Sequence, residues 1–515
     1  MRQSHLILSN AGIMWATRAL LLVPQLILVP FLIRTIGDAG YGVYALIWSL
    51  MVSIDQLQKS LQSGVVKYSA AFLAQERIEE VNKVVSSSLV YSILLAILAC
   101  AGVLVAAAFY DDPSGEIVYS LVVVGVTILF MLPLTPYIAI IQSRQRYYVG
   151  AIAETVSKYL TLLTVVVWFH TMGPSVEAPI VIMGVMLFLS RLAQVPVAYR
   201  LVPGLQNHPR LFNRESFRLI ASFGAAIVLA SLCLVTNTTG VRWMMGILVS
   251  TSFVAHLAII LMPGLLLSQI VEAVTITVMP ATSGYEAMGN RRMLQELLIR
   301  GTRYTTILVL AGVIVAGLVM RNVLVAWVGP EYAFLAPYAF VLFASVAFML
   351  STSTAHHMLK GVGKLRAIVF IYLIGLVIVP ISSILAVFAV SRNPYIAVTS
   401  GLAVGHLVCG FLQMGFCIKA VHAAGLRSFL MRVYAQPLIA AATISPLALG
   451  TLTYSGVEGL LGRLVASVLL VVLFSIACYV LIATAAERQQ LKELTRMVLS
   501  KIAAIRGIPP ENETQ

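Results

Sequence analysis

The sequence predicts an all-α polytopic membrane protein with about 14 transmembrane helices, and three observations carry that prediction. Of the 515 residues, 60% are hydrophobic and 10% charged, with a mean hydropathy of +0.96. A soluble fold covers its surface with about a quarter of charged residues, so the solvent here is lipid. The apolar stretches are continuous and do not alternate with period two. Backbone groups in hydrocarbon have to be bonded internally, so such stretches are read as helices and not as barrel strands. Finally, 25 of the 34 Lys and Arg fall in linkers on one side of the marked stretches and 5 on the other.

The first span, 11–33, contains Pro24 and Pro30 and lacks a small-residue cleavage site, so it reads as a retained, bent helix and not as a signal peptide. A glycine-bearing turn from Ile36 to Gly42 leads into the second span, 41–62. The stretch from Ala71 to Val85 sets Glu76, Arg77, Glu79, Glu80 and Lys83 against Phe72, Ile78 and Val81, which is the pattern of an interfacial helix. Spans 3 and 4 (88–110, 117–141) flank Asp111, Asp112 and Glu116, and Pro133 and Pro136 bend the fourth. Spans 5 and 6 (149–170, 178–199) follow Arg144 and Arg146. Spans 7 and 8 (219–241, 245–279) follow Arg200, Arg210, Arg214 and Arg218. Arg291, Arg292, Arg300 and Arg303 precede spans 9 and 10 (304–328, 333–358), and Lys360, Lys364 and Arg366 precede 11 and 12 (367–390, 395–420). Spans 13 and 14 (433–455, 461–484) come after Arg427 and Arg432 and before an amphipathic tail.

An even number of spans puts both termini on the basic side, which the positive-inside rule makes cytoplasmic. The net charge of +14 reflects this topology and anionic headgroups; nucleic acid is not expected as a partner. Cys100, Cys233, Cys409, Cys417 and Cys478 all sit in spans without CxxC or metal-ligand spacing and read as packing residues, so no metal, cofactor or enzymatic role is expected. A weak internal repeat relates the Gly-bearing turn near residue 37 to Met245-Gly246-Ile247. It divides the chain into 1–200 (spans 1–6), 201–422 (spans 7–12), 423–485 (spans 13 and 14) and a cytoplasmic tail, 486–515. Repeated bundles of this kind build transporters with a central site that opens alternately to each side.

Ionisable residues inside spans are costly, about 2–3 kcal/mol each at the centre, and so mark candidate sites. They are Arg18, Asp55, Lys59, Glu154, Lys158, Arg191 and Glu272. Asp55 and Lys59, and Glu154 and Lys158, stand four apart on one helix face, where local neutralisation competes with a functional reading. Arg18 and Arg191 have no acid within helical reach and either snorkel or face a cavity. All four cations fall in the inner half; if they converge they form a vestibule suited to a phosphate or diphosphate. On the opposite side Arg34 and Arg242 are placed to receive such a group. His256 in span 8 is either a proton relay or a packed polar residue.

Phe31-Leu32-Ile33-Arg34-Thr35-Ile36-Gly37-Asp38-Ala39-Gly40-Tyr41-Gly42-Val43-Tyr44-Ala45-Leu46 resembles the opening of bacterial polysaccharide exporters, the O-antigen and exopolysaccharide flippases of the multidrug/oligosaccharidyl-lipid/polysaccharide (MOP) superfamily. Val278 to Tyr285 with Arg291-Arg292, Trp327 to Tyr332, and His357 to Lys364 are similar to them as well. The resemblance implies two six-helix lobes around a central cavity plus two further helices. It implies translocation of an oligosaccharide linked to a lipid of the undecaprenyl diphosphate type, alongside a polysaccharide polymerase and export machinery, coupled to an H⁺ or Na⁺ gradient. Arg18 and Lys59 match in kind the cations that the family sets against the headgroup. Span 7 departs from the pattern: Val235 to Arg242 carries no acid where many relatives have one. A cation-coupled drug exporter of the same superfamily needs buried acids, and only Asp55, Glu154 and Glu272 are on offer. An integral membrane polymerase or glycosyltransferase needs a large loop or an acidic metal motif, and the sequence has neither.

Overall fold

The computed structural model describes residues 2–109, 115–221, 239–275, 277–389, 393–421, 426–453 and 459–482. Among the described residues there are helices and turns and no strand, as lipid-embedded apolar runs require. Eleven described helical runs are long and apolar enough to cross a membrane, and a shorter apolar helix covers Val433–Ile444. The predicted spans 1 and 2 share one of the eleven, Leu20–Asp55. Most of predicted span 7 and the whole predicted tail lie outside the described residues.

The chain opens with α1 (Arg2–Ala74), a helical run broken at Gly37, where φ is 72° and ψ 177°. Only glycine takes that conformation without strain, so this one residue separates two spans without a loop. Then follow α2 (Ile78–Ala108), α3 (Glu116–Met131), α4 (Thr135–Ser143), α5 (Tyr147–Met172), α6 (Glu177–Leu192) and α7 (Val195–Leu201). Helix α8 begins over 214–221. The second half holds α9 (Val241–Leu248), α10 (Thr251–Thr275), α11 (Val278–Ala287), α12 (Arg291–Trp327), α13 (Ala336–Ser351), α14 (Ser353–Gly361), α15 (Leu365–Ala389) and α16 (Pro394–Val421). Helices α17 (Leu426–Leu430), α18 (Gln436–Thr453) and α19 (Leu460–Ile482) complete it.

The run predicted as one span over 245–279 is three helices. Ser250 interrupts it: its Oγ accepts the backbone N–H of Phe253 at 3.1 Å, an N-cap that starts α10 afresh in the middle of apolar sequence.

Helices α1, α2, α3, α5 and α6 pack on one another, as do α10, α12, α13, α15 and α16, with α18 and α19 against α12. The two groups meet along α1, which packs on α9 and α10. Small residues set these approaches. A Cβ on Gly42 would lie 1.9 Å from the Thr251 carbonyl oxygen, and Cβ atoms on Gly401 and Gly405 would each come within 2.2 Å of α15 side chains, at Ser383 and Val379. Gly401 and Gly405 form a GxxxG face, the motif that lets two helices close in lipid, where packing replaces the hydrophobic drive. The outward faces stay apolar: Leu98 is 70% exposed and Val468 63%. Patches of this kind have bilayer as their partner. Arg77, Arg144, Arg146, Arg210, Arg291, Arg292 and Lys364 lie at one end of the bundle, and the turns at Gly37, Gly173 and Gly329 at the other.

Candidate functional site at the helix-group boundary

A cavity of ≈ 290 Å³ lies where the two helix groups meet, with α1 as its spine. Tyr41, Tyr44 and Trp48 are spaced by three and four residues and therefore share a face of α1. All three line the cavity, and the Tyr41 and Tyr44 rings stack with centroids 6.2 Å apart. The opposite walls bring Lys158 from α5, Arg242 from α9, Leu257 and Leu261 from α10, Trp327 from α12 and His406 from α16.

The two cations on this wall are held differently. Lys158 Nζ sits 3.5 Å from the centroid of the Trp48 ring. An ammonium over an indole face gains about 1–2 kcal/mol when partly desolvated, enough to keep the charge on the wall instead of snorkelling away. Arg242 has a buried Nε with no hydrogen-bond partner among the described residues. A buried guanidinium N–H left in this way is costly by itself and is satisfied well by an anionic oxygen. His406 Nδ1 lies 3.0 Å from Ser345 Oγ and completes a polar corner.

The geometry of α1 follows from its prolines. Pro30 has no N–H, so the carbonyl of Leu26, four residues earlier, loses its helical partner. The Trp327 indole Nε1–H donates to that oxygen at 2.7 Å. A cavity-lining indole is thus tied to the backbone of the opposing group by the defect that the proline creates.

The remaining predicted residues are distributed more widely. Arg191 on α6 donates to Asp55 on α1 at 2.5 Å, with side chains 15% and 27% exposed. The acid absent from its own helix comes from another one, and neither residue lines the cavity. Glu154 is exposed, while Lys158, four residues on, turns to Trp48. His357 Nε2 lies 3.3 Å from a Glu272 carboxylate oxygen, away from the cavity. Arg34 is exposed near the Gly37 turn and off the cavity wall. Arg18 and Lys59 fall on α1, with their side chains outside the described residues. His256 sits between Asp38 and Tyr395. The aromatic wall went unread in the sequence, although the helical spacing of Tyr41, Tyr44 and Trp48 in a span was a usable signal. Trp327 stood in a quoted motif with nothing to place it on this wall, and His406 had no signal at all.

A family model described as polysaccharide biosynthesis protein matches residues 9–286, more than half of the chain. The chain belongs to the polysaccharide biosynthesis protein family. No curated protein matches this family member. Among solved structures it is similar to an inward-facing multidrug resistance MATE family transporter of the MOP superfamily, at 13% identity and a TM-score of 0.67, covering 80% of this chain and 98% of that one. It is similar to the lipid II flippase MurJ in an inward closed conformation, at 14% identity and a TM-score of 0.66, covering 92% and 99%. A MOP superfamily transporter from Pyrococcus furiosus, whose description reports a binding pocket of reversed polarity, matches at 15% identity with a TM-score of 0.59, covering 81% and 95%. At these identities the likeness is one of fold: this polysaccharide biosynthesis family member has the architecture of MOP-type transporters and flippases.

Proposed function

We propose that this protein is a flippase that moves a polyprenyl-diphosphate-linked oligosaccharide from the cytoplasmic to the outer leaflet for polysaccharide biosynthesis. The observation that carries the reading is the cavity wall: it presents Lys158, Arg242 and a run of aromatic rings, and no Asp or Glu among the described lining residues. Cations and guanidinium N–H groups suit a diphosphate, and tyrosine and tryptophan rings suit the apolar faces of sugars. The drug-exporter alternative needs acids on that wall for a cationic drug or ion. The apolar outward faces leave a prenyl tail in lipid while the headgroup crosses.

In this reading residues 1–200 and 201–422 act as two lobes that rock about the cavity, with 423–485 packed outside them. The basic end of the bundle faces the cytoplasm under the positive-inside rule, together with both termini, in the inner membrane. An H⁺ or Na⁺ gradient supplies the energy. Asp55, Glu154 and Glu272 are the acids on offer for coupling, with Asp55 bridged to Arg191 and Glu272 beside His357. A polymerase and export machinery act on the delivered product. Arg18, Lys59 and Arg34 remain proposed headgroup contacts along the route.

The test is the fate of the lipid-linked intermediate in a strain lacking the gene. The expected result is loss of surface polymer with build-up of the diphosphate-linked oligosaccharide on the cytoplasmic leaflet, both reversed by the complementing gene. Unchanged polymer together with altered drug sensitivity refutes the flippase reading in favour of an exporter.

A further inference from the structure

At the end of the bundle that carries the Gly37 and Gly329 turns, side chains tie α1 to the second helix group. Asp38 follows directly on the α1 break. Its Oδ1 accepts from the Tyr332 hydroxyl at 2.5 Å, and its Oδ2 lies 3.1 Å from His256 Nε2. The other ring nitrogen, His256 Nδ1, lies 2.6 Å from the Tyr395 hydroxyl. Both ring nitrogens of His256 thus have a partner: Nε2 faces the Asp38 carboxylate and Nδ1 the Tyr395 hydroxyl, which can donate or accept. The partners come from three places in the chain: α10, the segment after α12, and α16. Phe334 packs edge-on against the imidazole at 5.6 Å, which fixes the ring plane that both hydrogen bonds need.

This cluster is coupled to the cavity in two ways. Tyr41, one turn beyond Asp38, and Leu257, the residue after His256, both line the cavity, so the cluster forms its boundary on that side. The six-residue segment from Trp327 to Tyr332 grips α1 twice, through the Leu26 carbonyl and through Asp38. The α1 points it holds lie on the two sides of the Gly37 break, so the grip fixes the bend as well as the separation of the two groups. Among the described residues, Glu331 acts on Tyr332 and Tyr338 stacks on Tyr395, so both face the cluster.

We propose that Asp38, His256, Tyr332 and Tyr395, with Trp327, form a clasp that holds α1 against the second helix group, and that the cavity opens at this end only when the clasp releases. The proposal rests on the transport reading for its purpose but not for its geometry. The four polar residues are positioning residues: they act on access to the cavity through α1, and none is assigned a substrate contact.

The test reads access and not export. Val52 lines the cavity about 22 Å along α1 from Gly37 at 1.5 Å per residue, too deep to be reached from this end while it is shut. Val52→Cys is placed in a background with the five native cysteines replaced, and a membrane-impermeant maleimide is applied separately to intact cells and to inside-out vesicles. Asp38→Asn, Tyr332→Phe and Tyr395→Phe are each expected to raise the labelling rate in intact cells about tenfold, the effect of losing one well-made hydrogen bond from a two-state closure. The two Tyr→Phe variants keep the ring packing and lose only the hydroxyl, so they decide the matter if Asp38→Asn does not accumulate. Unchanged labelling in both Tyr→Phe variants at normal abundance, or a rise confined to inside-out vesicles, overturns the clasp. Raised labelling in a strain whose polymer export is indifferent to the gene supports the clasp and sinks the flippase assignment instead.

Discussion

Replacing Lys158 by alanine is expected to abolish polymer export while leaving protein abundance unchanged. The ammonium sits on the cavity wall over Trp48, on a helix whose other contacts are with its own group, so its removal leaves the packing of α5 against α1 and α6 intact. What is lost is a charge-assisted contact to a diphosphate, worth about 1.5–3 kcal/mol, or about 10- to 100-fold in affinity. Lys158→Arg keeps the charge but moves it off the ring face, and is expected to retain partial export. Surface polymer, measured against membrane-extracted protein from the same cells, checks both variants. Normal export by Lys158→Ala removes this residue from the headgroup site. Arg242→Gln belongs in the same experiment: the cavity wall gives it the same part, and the loss should be of similar size.

The second large effect is on stability and concerns Asp55 and Arg191. Each neutralising substitution alone, Asp55→Asn or Arg191→Gln, breaks this contact and leaves the other charge in a low-dielectric setting. That costs about 3–5 kcal/mol when the pair is fully buried, and about 1–3 kcal/mol after allowance for the partial exposure of both side chains here. The double variant removes both charges and is expected to recover most of the loss, because a buried pair is often no better than neutral groups of similar size. Thermal unfolding of the detergent-extracted protein measures the cycle. Additive single effects mean that the two residues do not act as a pair. Export by the double variant then asks a separate question: if Arg191 also guides the headgroup, stability returns and export does not.

The bundle itself was legible in the sequence because its causes are local. Continuous apolar runs require helices in lipid, and the linker cations orient them. Gly37 was readable as a turn for the same reason, since the glycines around it stand within a few residues of each other. The break at Ser250 was hidden because serine is a cap only in a context that hydropathy does not record. The site was harder. Arg191 finds its acid 136 residues away on α1, whereas helical spacing sees partners only three or four positions distant. Asp38 and His256 are separated by 218 residues, and although each was noticed in its own segment, nothing local joins the two. Lys158 was singled out as an intramembrane cation, yet the ring that holds it stands on a different span. Charge inside a span marks a residue as costly; only the packing of the two helix groups decides what offsets the cost.

The indole of Trp327 and the ring of Pro30 have a consequence for how such a sequence changes over time. Tryptophan at 327 answers a vacancy in the backbone of α1 that exists only because residue 30 is proline. Once any other residue stands at 30, the Leu26 carbonyl regains its helical N–H and the indole loses its distinctive task. The two positions are therefore epistatic although about 300 residues separate them: loss of Trp327 strands the Leu26 carbonyl before loss of Pro30 and not after it. For this contact a lineage has one cheap order in which to abandon the pair, and as long as proline stays, part of the selection on the tryptophan comes from a missing hydrogen atom on another helix.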